Sequence, residues 1–149
     1  MSWRDESTFQ EDTGGLDQPV LGNVLVVEDE ADLVWVIRFN LEMEGYRTYV
    51  ASNGQAALDI LATDPPDVML LDLMMPVMDG WTVLEEMRSL GLRRPKIIVI
   101  SARTAAGDRA RAARYDVDGF MAKPFDMDEL LEVVRAALPA PESDGGAES

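Results

Sequence analysis

Residues 68–80 read VMLLDLMMPVMDG, and the order of residue types in that stretch decides how the chain folds. Val68–Leu71 is an apolar run without polar alternation, the pattern of a strand buried on both faces. Asp72 closes the run, an odd choice where many turn residues would serve. Asp79-Gly80 is a turn signal. Beyond it an amphipathic stretch runs from Trp81 to Leu90, with Val83, Leu84 and Met87 on its inward stripe and Gly91 as the stop. The whole is one strand–helix unit with an acid at the carboxyl end of its strand.

The same unit recurs on either side. Upstream, Val24–Val27 is a second buried-strand run. Leu33, Val34, Ile37 and Leu41, with Trp35 a further candidate, stripe a helix over Asp32–Glu44 that Gly45 ends. Arg47–Ala51 is a weaker, alternating strand. Ala56, Ala57, Ile60 and Leu61 mark a helix that must stop before Pro65-Pro66. Downstream, Ile97–Ile100 and the short Phe120–Ala122 read as strands. Thr104–Tyr115 is a poorer amphipath, rich in Ala and Arg. The last helix spans Met127–Leu138, with Asp126 as N-cap and Glu129 as its capping-box partner. Five such units predict an α/β fold, a doubly wound parallel sheet with helices on both faces. Ligands in these folds bind at the carboxyl ends of the strands, near the switch point in strand order.

Composition narrows the chemistry those ends can perform. The 149 residues are 47% apolar and 28% charged, with neither histidine nor cysteine. Disulfides, thiolate chemistry and the usual catalytic base are therefore excluded, and carboxylates must do such work. The net charge of −15 argues against direct binding to nucleic acid, which needs a concentrated basic face. No apolar run approaches the roughly 20 residues that span a bilayer, and the acidic start is no secretory signal. A cytoplasmic protein is expected. Residues 1–20 (net −4) and 139–149 (net −3) are polar and aperiodic, and are expected to be disordered tails around a folded domain at 21–138, the second of them a tail or the start of a linker. The surplus acid serves solubility, or gathers at a cation site.

The residues that follow the strands favour the second use. Strand one runs into Glu28-Asp29-Glu30, strand three into Asp72, strand four into Ser101, and strand five into Lys123-Pro124. Clustered carboxylates suit a hard cation such as Mg²⁺. A hydroxyl and an ammonium suit an anion that the cation also touches, and together these groups describe a phosphoryl-transfer site. Singly, each has a plain reading: a solvated turn for Glu28-Asp29, a helix cap for Ser101. Their joint occurrence at successive strand ends carries the functional one.

VLVVEDE at 24–30, LLDLMMPVMDG at 70–80, IIVISAR at 97–103 and FMAKPF at 120–125 resemble the signature segments of response-regulator receiver domains of two-component phosphorelays. The resemblance implies the flavodoxin-like (βα)5 fold with strand order 2-1-3-4-5, which periodicity alone does not give. It implies that Asp72 accepts the phosphoryl group. Mg²⁺ would be bound by Asp29, by Glu28 largely through water, by Asp72, and by the backbone carbonyl of Met74. Ser101 and Lys123 would bind phosphoryl oxygens, with the small Ala102 leaving access and a cis bond before Pro124. Ser101 and Phe120 would form the switch. A regulatory phosphoacceptor rather than an enzyme is expected, with Mg²⁺-dependent self-phosphorylation and autodephosphorylation.

The implied partners are a sensor histidine kinase or phosphotransfer protein, and an output protein that the sequence does not name. A weak homodimer through the fourth helix, fifth strand and fifth helix is a further implied contact, a face on which Arg109, Arg111 and Arg114 stand opposite Asp128 and Glu132 in sequence terms. The sequence departs from the commonest family pattern at Ser101 (more often Thr), Asp116 (often Gly) and Val133 (often basic). The chain reads as a stand-alone receiver, as the receiver end of a longer DNA-binding transcription regulator, or as a receiver-like interaction module that is never phosphorylated.

Overall fold

The structure, a computed structural model, describes residues 20–102 and 106–138. The expected tails fall outside these residues, apart from Val20, which is exposed. Among these residues five strands, β1 (Asn23–Val27), β2 (Arg47–Ala51), β3 (Val68–Asp72), β4 (Lys96–Ser101) and β5 (Gly119–Ala122), alternate with five helices. The helices are α1 (Ala31–Glu44), α2 (Gly54–Thr63), α3 (Gly80–Leu90), α4 (Ala106–Ala113) and α5 (Met127–Ala137). All strand pairs are parallel, in the order β2-β1-β3-β4-β5. The chain therefore reverses direction across the sheet between β1 and β3, the crevice in which such folds hold ligands.

The apolar runs explain the layering. Successive residues of a strand point to opposite faces, so a continuous run supplies both. On one face Leu25, Val27, Met69, Leu71, Ile97 and Val99 pack with Leu58, Leu61, Val83 and Leu84 of α2 and α3. On the other, Val24, Val26, Val68, Leu70, Ile98 and Ile100 pack with Ile37 and Leu41 of α1 and Leu130 and Val134 of α5. Burying each of these side chains stabilises the fold by roughly 1.5–3 kcal/mol. Asn53, Asp79 and Asp126 cap α2, α3 and α5 by accepting from the amides of Ala56, Thr82 and Glu129. Asp79 is thus part of a helix start as well as of a turn.

Three details differ from the sequence reading. Trp35 is 65% exposed and stacks on Phe39 instead of joining the core stripe of α1. The fourth helix is shorter than expected at its carboxyl end, stopping at Ala113. Arg88 donates to the Arg114 carbonyl, and Arg94 to those of Tyr115 and Asp116, so arginines from outside α4 satisfy the carbonyls that follow it. Asp116 itself takes φ +57°, the left-handed conformation that a glycine there would adopt, and Asp tolerates it. Finally, the Arg111 guanidinium lies 4.2 Å over the Trp81 ring of α3, a contact within the chain that the sequence does not suggest.

Candidate functional site at the carboxyl edge of the sheet

Register alone brings the polar strand ends together. Val27 pairs with Leu71, so Glu28 lies beside Asp72. Ser101 pairs with Ala122, so Lys123 emerges next to it, and the Lys123 amide donates to the Ser101 carbonyl at 2.7 Å. Glu28 is fixed from the other side, its amide donating to the Ala51 carbonyl at 3.0 Å. The Lys123–Pro124 bond is cis.

The loop after β3 folds back tightly on the strand end. The Gly80 amide donates to the Leu73 carbonyl at 3.1 Å, and a Cβ at residue 80 would sit 2.8 Å from the Asp72 carbonyl oxygen. Only glycine permits that approach. Met74, at the start of this loop, donates its amide to Asp72 Oδ1 at 3.0 Å. Further along, Val77 holds φ +69° while 86% exposed. A β-branched residue in the left-handed region is strained by roughly 1–2 kcal/mol. Val77→Gly is expected to raise unfolding stability by about 1 kcal/mol after the entropic cost of glycine. Denaturant titration checks this, and a loss of stability would mean the loop is unstrained at that residue.

Glu28 and Asp72 are buried at 2% exposure each, and their carboxylates cluster with that of the exposed Asp29 within 4.8 Å. Lys123 Nζ bridges the two buried acids, 3.1 Å from Glu28 Oε1 and 3.3 Å from Asp72 Oδ2. Glu28 Oε2 accepts from the Glu30 amide at 3.1 Å, while the buried Oε1 meets Lys123 outside hydrogen-bond geometry. Burial, then the charge of Asp72, pushes the Glu28 carboxyl above its ordinary 4.5. Burial would lower Lys123, but its close contact with the Glu28 carboxylate and the charge of Asp72 prevail and raise it above its ordinary 10.5.

Both shifts make stability fall as pH rises, each in its own pH window. Folded Glu28 keeps its proton to higher pH than the unfolded chain does, so it costs stability as pH climbs from 4.5 through its raised value. The Lys123 contribution is complete below 10.5 and is lost as pH rises through its own raised value. Glu28→Gln is expected to flatten the decline in melting temperature between pH 4.5 and neutrality in divalent-free buffer. An unchanged slope would remove Glu28 as its source.

The donor set fits a hard divalent cation. Three carboxylates converge, all donors are oxygens, and one of them, Glu28 Oε1, is buried without a hydrogen bond. Ser101 is buried too, its hydroxyl donating to Asp108 Oδ2 on α4 at 2.9 Å. Ala102 is exposed, and Phe120 is half-buried against the α2–α3 core. Asp108 escaped the sequence reading, because seven residues past Ser101 it looked like one more polar position on a weak amphipath.

The sequence matches the family described as the response regulator receiver domain over residues 24–135, and the chain belongs to that family. Among curated relatives, the transcriptional regulatory protein KdpE of Mycobacterium tuberculosis is 43% identical over 115 residues, 77% of this chain and 50% of that protein. The response regulator MprA of Mycolicibacterium vanbaalenii is 38% identical over 124 residues, 83% of this chain and 53% of the relative. The chain thus spans about half the length of the curated relatives it matches. The solved receiver domain of Francisella response regulator 1452 superposes with a TM-score of 0.73 at 31% identity, covering 78% of this chain and 96% of that one. The receiver domain of the Pseudomonas aeruginosa sensor histidine kinase PA1611, solved with a magnesium ion coordinated in its active-site cleft, gives 0.71 at 30% identity, covering 78% and 97%. Receiver domains of this family are regulatory domains of two-component systems, bind Mg²⁺ at an acidic pocket, and interact with histidine kinases or phosphotransfer proteins. Among the described residues no helix is long and apolar enough to cross a membrane.

Proposed function

We propose that Asp72 takes a phosphoryl group from a histidine kinase or phosphotransfer protein and that this modification switches partner binding. The observation that carries the reading is the single ammonium of Lys123 held between Glu28 and Asp72 at the mouth of the sheet. Asp72 is anchored through Oδ1 by the Met74 amide, which leaves Oδ2, now on Lys123, as the oxygen to attack phosphorus. As charge builds on the phosphoryl oxygens, Lys123 is positioned to neutralise it. Glu28, Asp29, Asp72 and the Met74 carbonyl would hold Mg²⁺, which supplies charge neutralisation to the transferring group. Ser101 and the amide side of Ala102 would receive the phosphoryl oxygens, and Phe120 would follow Ser101 inward. Autodephosphorylation would use the same residues in reverse, with water as acceptor.

Wild-type protein incubated with acetyl phosphate and Mg²⁺ is expected to gain the mass of one phosphoryl group, labile to hydroxylamine. No gain, or a hydroxylamine-stable one, contradicts the reading. Asp29, exposed at the rim, is the acid whose removal least disturbs packing. In Asp29→Ala the rise in melting temperature on adding Mg²⁺ is expected to vanish, since stabilisation by a ligand scales with its occupancy. An unchanged rise excludes Asp29 as a main ligand.

A second reading is favoured by the relatives' printed names. KdpE is a transcriptional regulatory protein, and a receiver of this kind could control DNA binding in a longer regulator. The expectation of no nucleic-acid contact therefore extends only to residues 1–149, and a cytoplasmic setting belongs to both readings. The reading frame beyond the codon for Ser149 decides between a receiver acting alone and one joined to an output domain.

A further inference from the structure

Ser101 has one hydroxyl proton, and in this structure it is given to a carboxylate. The bond from Ser101 Oγ to Asp108 Oδ2 is 2.9 Å, and Asp108 sits in the first turn of α4, where a negative charge is stabilised by the free helix amides. The neighbouring Arg109 lays its guanidinium 4.4 Å over the Phe120 ring. One turn of α4 therefore grips both residues assigned to the switch.

A hydroxyl donates a single proton, and an ionised carboxylate and a phosphoryl oxygen are both acceptors only. Ser101 cannot donate to both. We propose that Asp108 is a positioning residue that retains the Ser101 hydroxyl on α4, so that a phosphoryl group on Asp72 must win that proton from it. This rests on the phosphoacceptor reading above and adds a competitor to it. The strength of the Asp108 bond then sets how far the unmodified protein lies from the switched state. Breaking it frees the first turn of α4, so the modification is felt on the α4–β5–α5 face. A hydrogen bond to a charged group is strong enough for its loss to shift such an equilibrium about tenfold or more.

The test is a titration with beryllofluoride at saturating Mg²⁺, followed by NMR, on wild type, D108A, D108N, S101A and the S101A/D108A pair. Beryllofluoride stands in for the phosphoryl group on the Asp72 carboxylate. D108A is expected to bind about tenfold more tightly than wild type. D108N, which keeps an acceptor but no charge, should fall between them. Because the effect runs through Ser101, removing Asp108 in the S101A background should leave affinity unchanged. Equal tightening in that background would overturn the proposal, since Asp108 would then act only as a repelling charge. Saturable wild-type binding with no change in D108A overturns the latch and leaves the phosphoacceptor reading standing. Failure of the wild type to bind in an Asp72-dependent way overturns that reading, and the latch with it.

Discussion

Asp72→Asn is expected to take up no phosphoryl group from acyl phosphates and, in divalent-free buffer, to be more stable than the wild type. Both effects come from one substitution of nearly equal volume. Asparagine keeps the Oδ1 acceptor used by the Met74 amide, so the strand end and its loop stay in place. What goes is the nucleophilic oxygen and one charge. Among the described residues of the wild type, Asp72 faces two like charges, Glu28 and Asp29, against the ammonium of Lys123. At separations within 4.8 Å each such pair is worth on the order of 3 kcal/mol at an effective dielectric constant near 20. One repulsion remains uncompensated, and after relaxation and screening a net gain of about 1 kcal/mol is expected. Equilibrium unfolding in EDTA measures the gain and intact mass measures the lost modification. A destabilised variant would mean that Lys123 attracts Asp72 more strongly than both acids repel it.

Lys123→Met should do the reverse. Glu28 and Asp72 are buried, and among the described residues Lys123 is the cation that touches both. Removing one member of a buried ion pair leaves an uncompensated charge and costs about 3 kcal/mol or more. Part of that loss is recovered at low pH, because Glu28 already holds its proton above 4.5, and part by added Mg²⁺ at the acids. Phosphorylation is expected to slow at least about 100-fold even with the metal present, since the ammonium that meets the developing charge is gone. Unfolding with and without Mg²⁺, paired with the rate of acetyl phosphate uptake, separates the two roles. Wild-type rates in a destabilised protein would reduce Lys123 to charge balance.

The central strands were legible because Val24–Val27, Val68–Leu71 and Ile97–Ile100 are buried on both faces, which leaves no polar residue to interrupt the run. β2, at the sheet edge, mixes exposed, half-buried and buried residues and gave the weaker signal. The strand order came from the resemblance, because periodicity says which residues form strands and nothing of their neighbours. Convergence of Glu28, Asp72, Ser101 and Lys123 was legible for a simple reason: each follows a strand, and parallel strands end together. Contacts made from helices were not. Asp108 reaches Ser101, and Arg111 finds Trp81, through side-chain directions that a weak amphipath such as α4 does not encode. Trp35 was misplaced for the related reason that an aromatic near an apolar stripe can stack on its own helix, here on Phe39, and remain in solvent.

The most direct test is to locate the phosphoryl group by residue. Borohydride reduces an aspartyl phosphate to the alcohol, which leaves homoserine in place of the modified residue, and peptide mass spectrometry then reads its position. After treatment with acetyl phosphate and Mg²⁺, homoserine is expected at residue 72 and nowhere else. Reduction product at Glu28, at Asp29 or at any other acid, with residue 72 unchanged, would contradict the assignment.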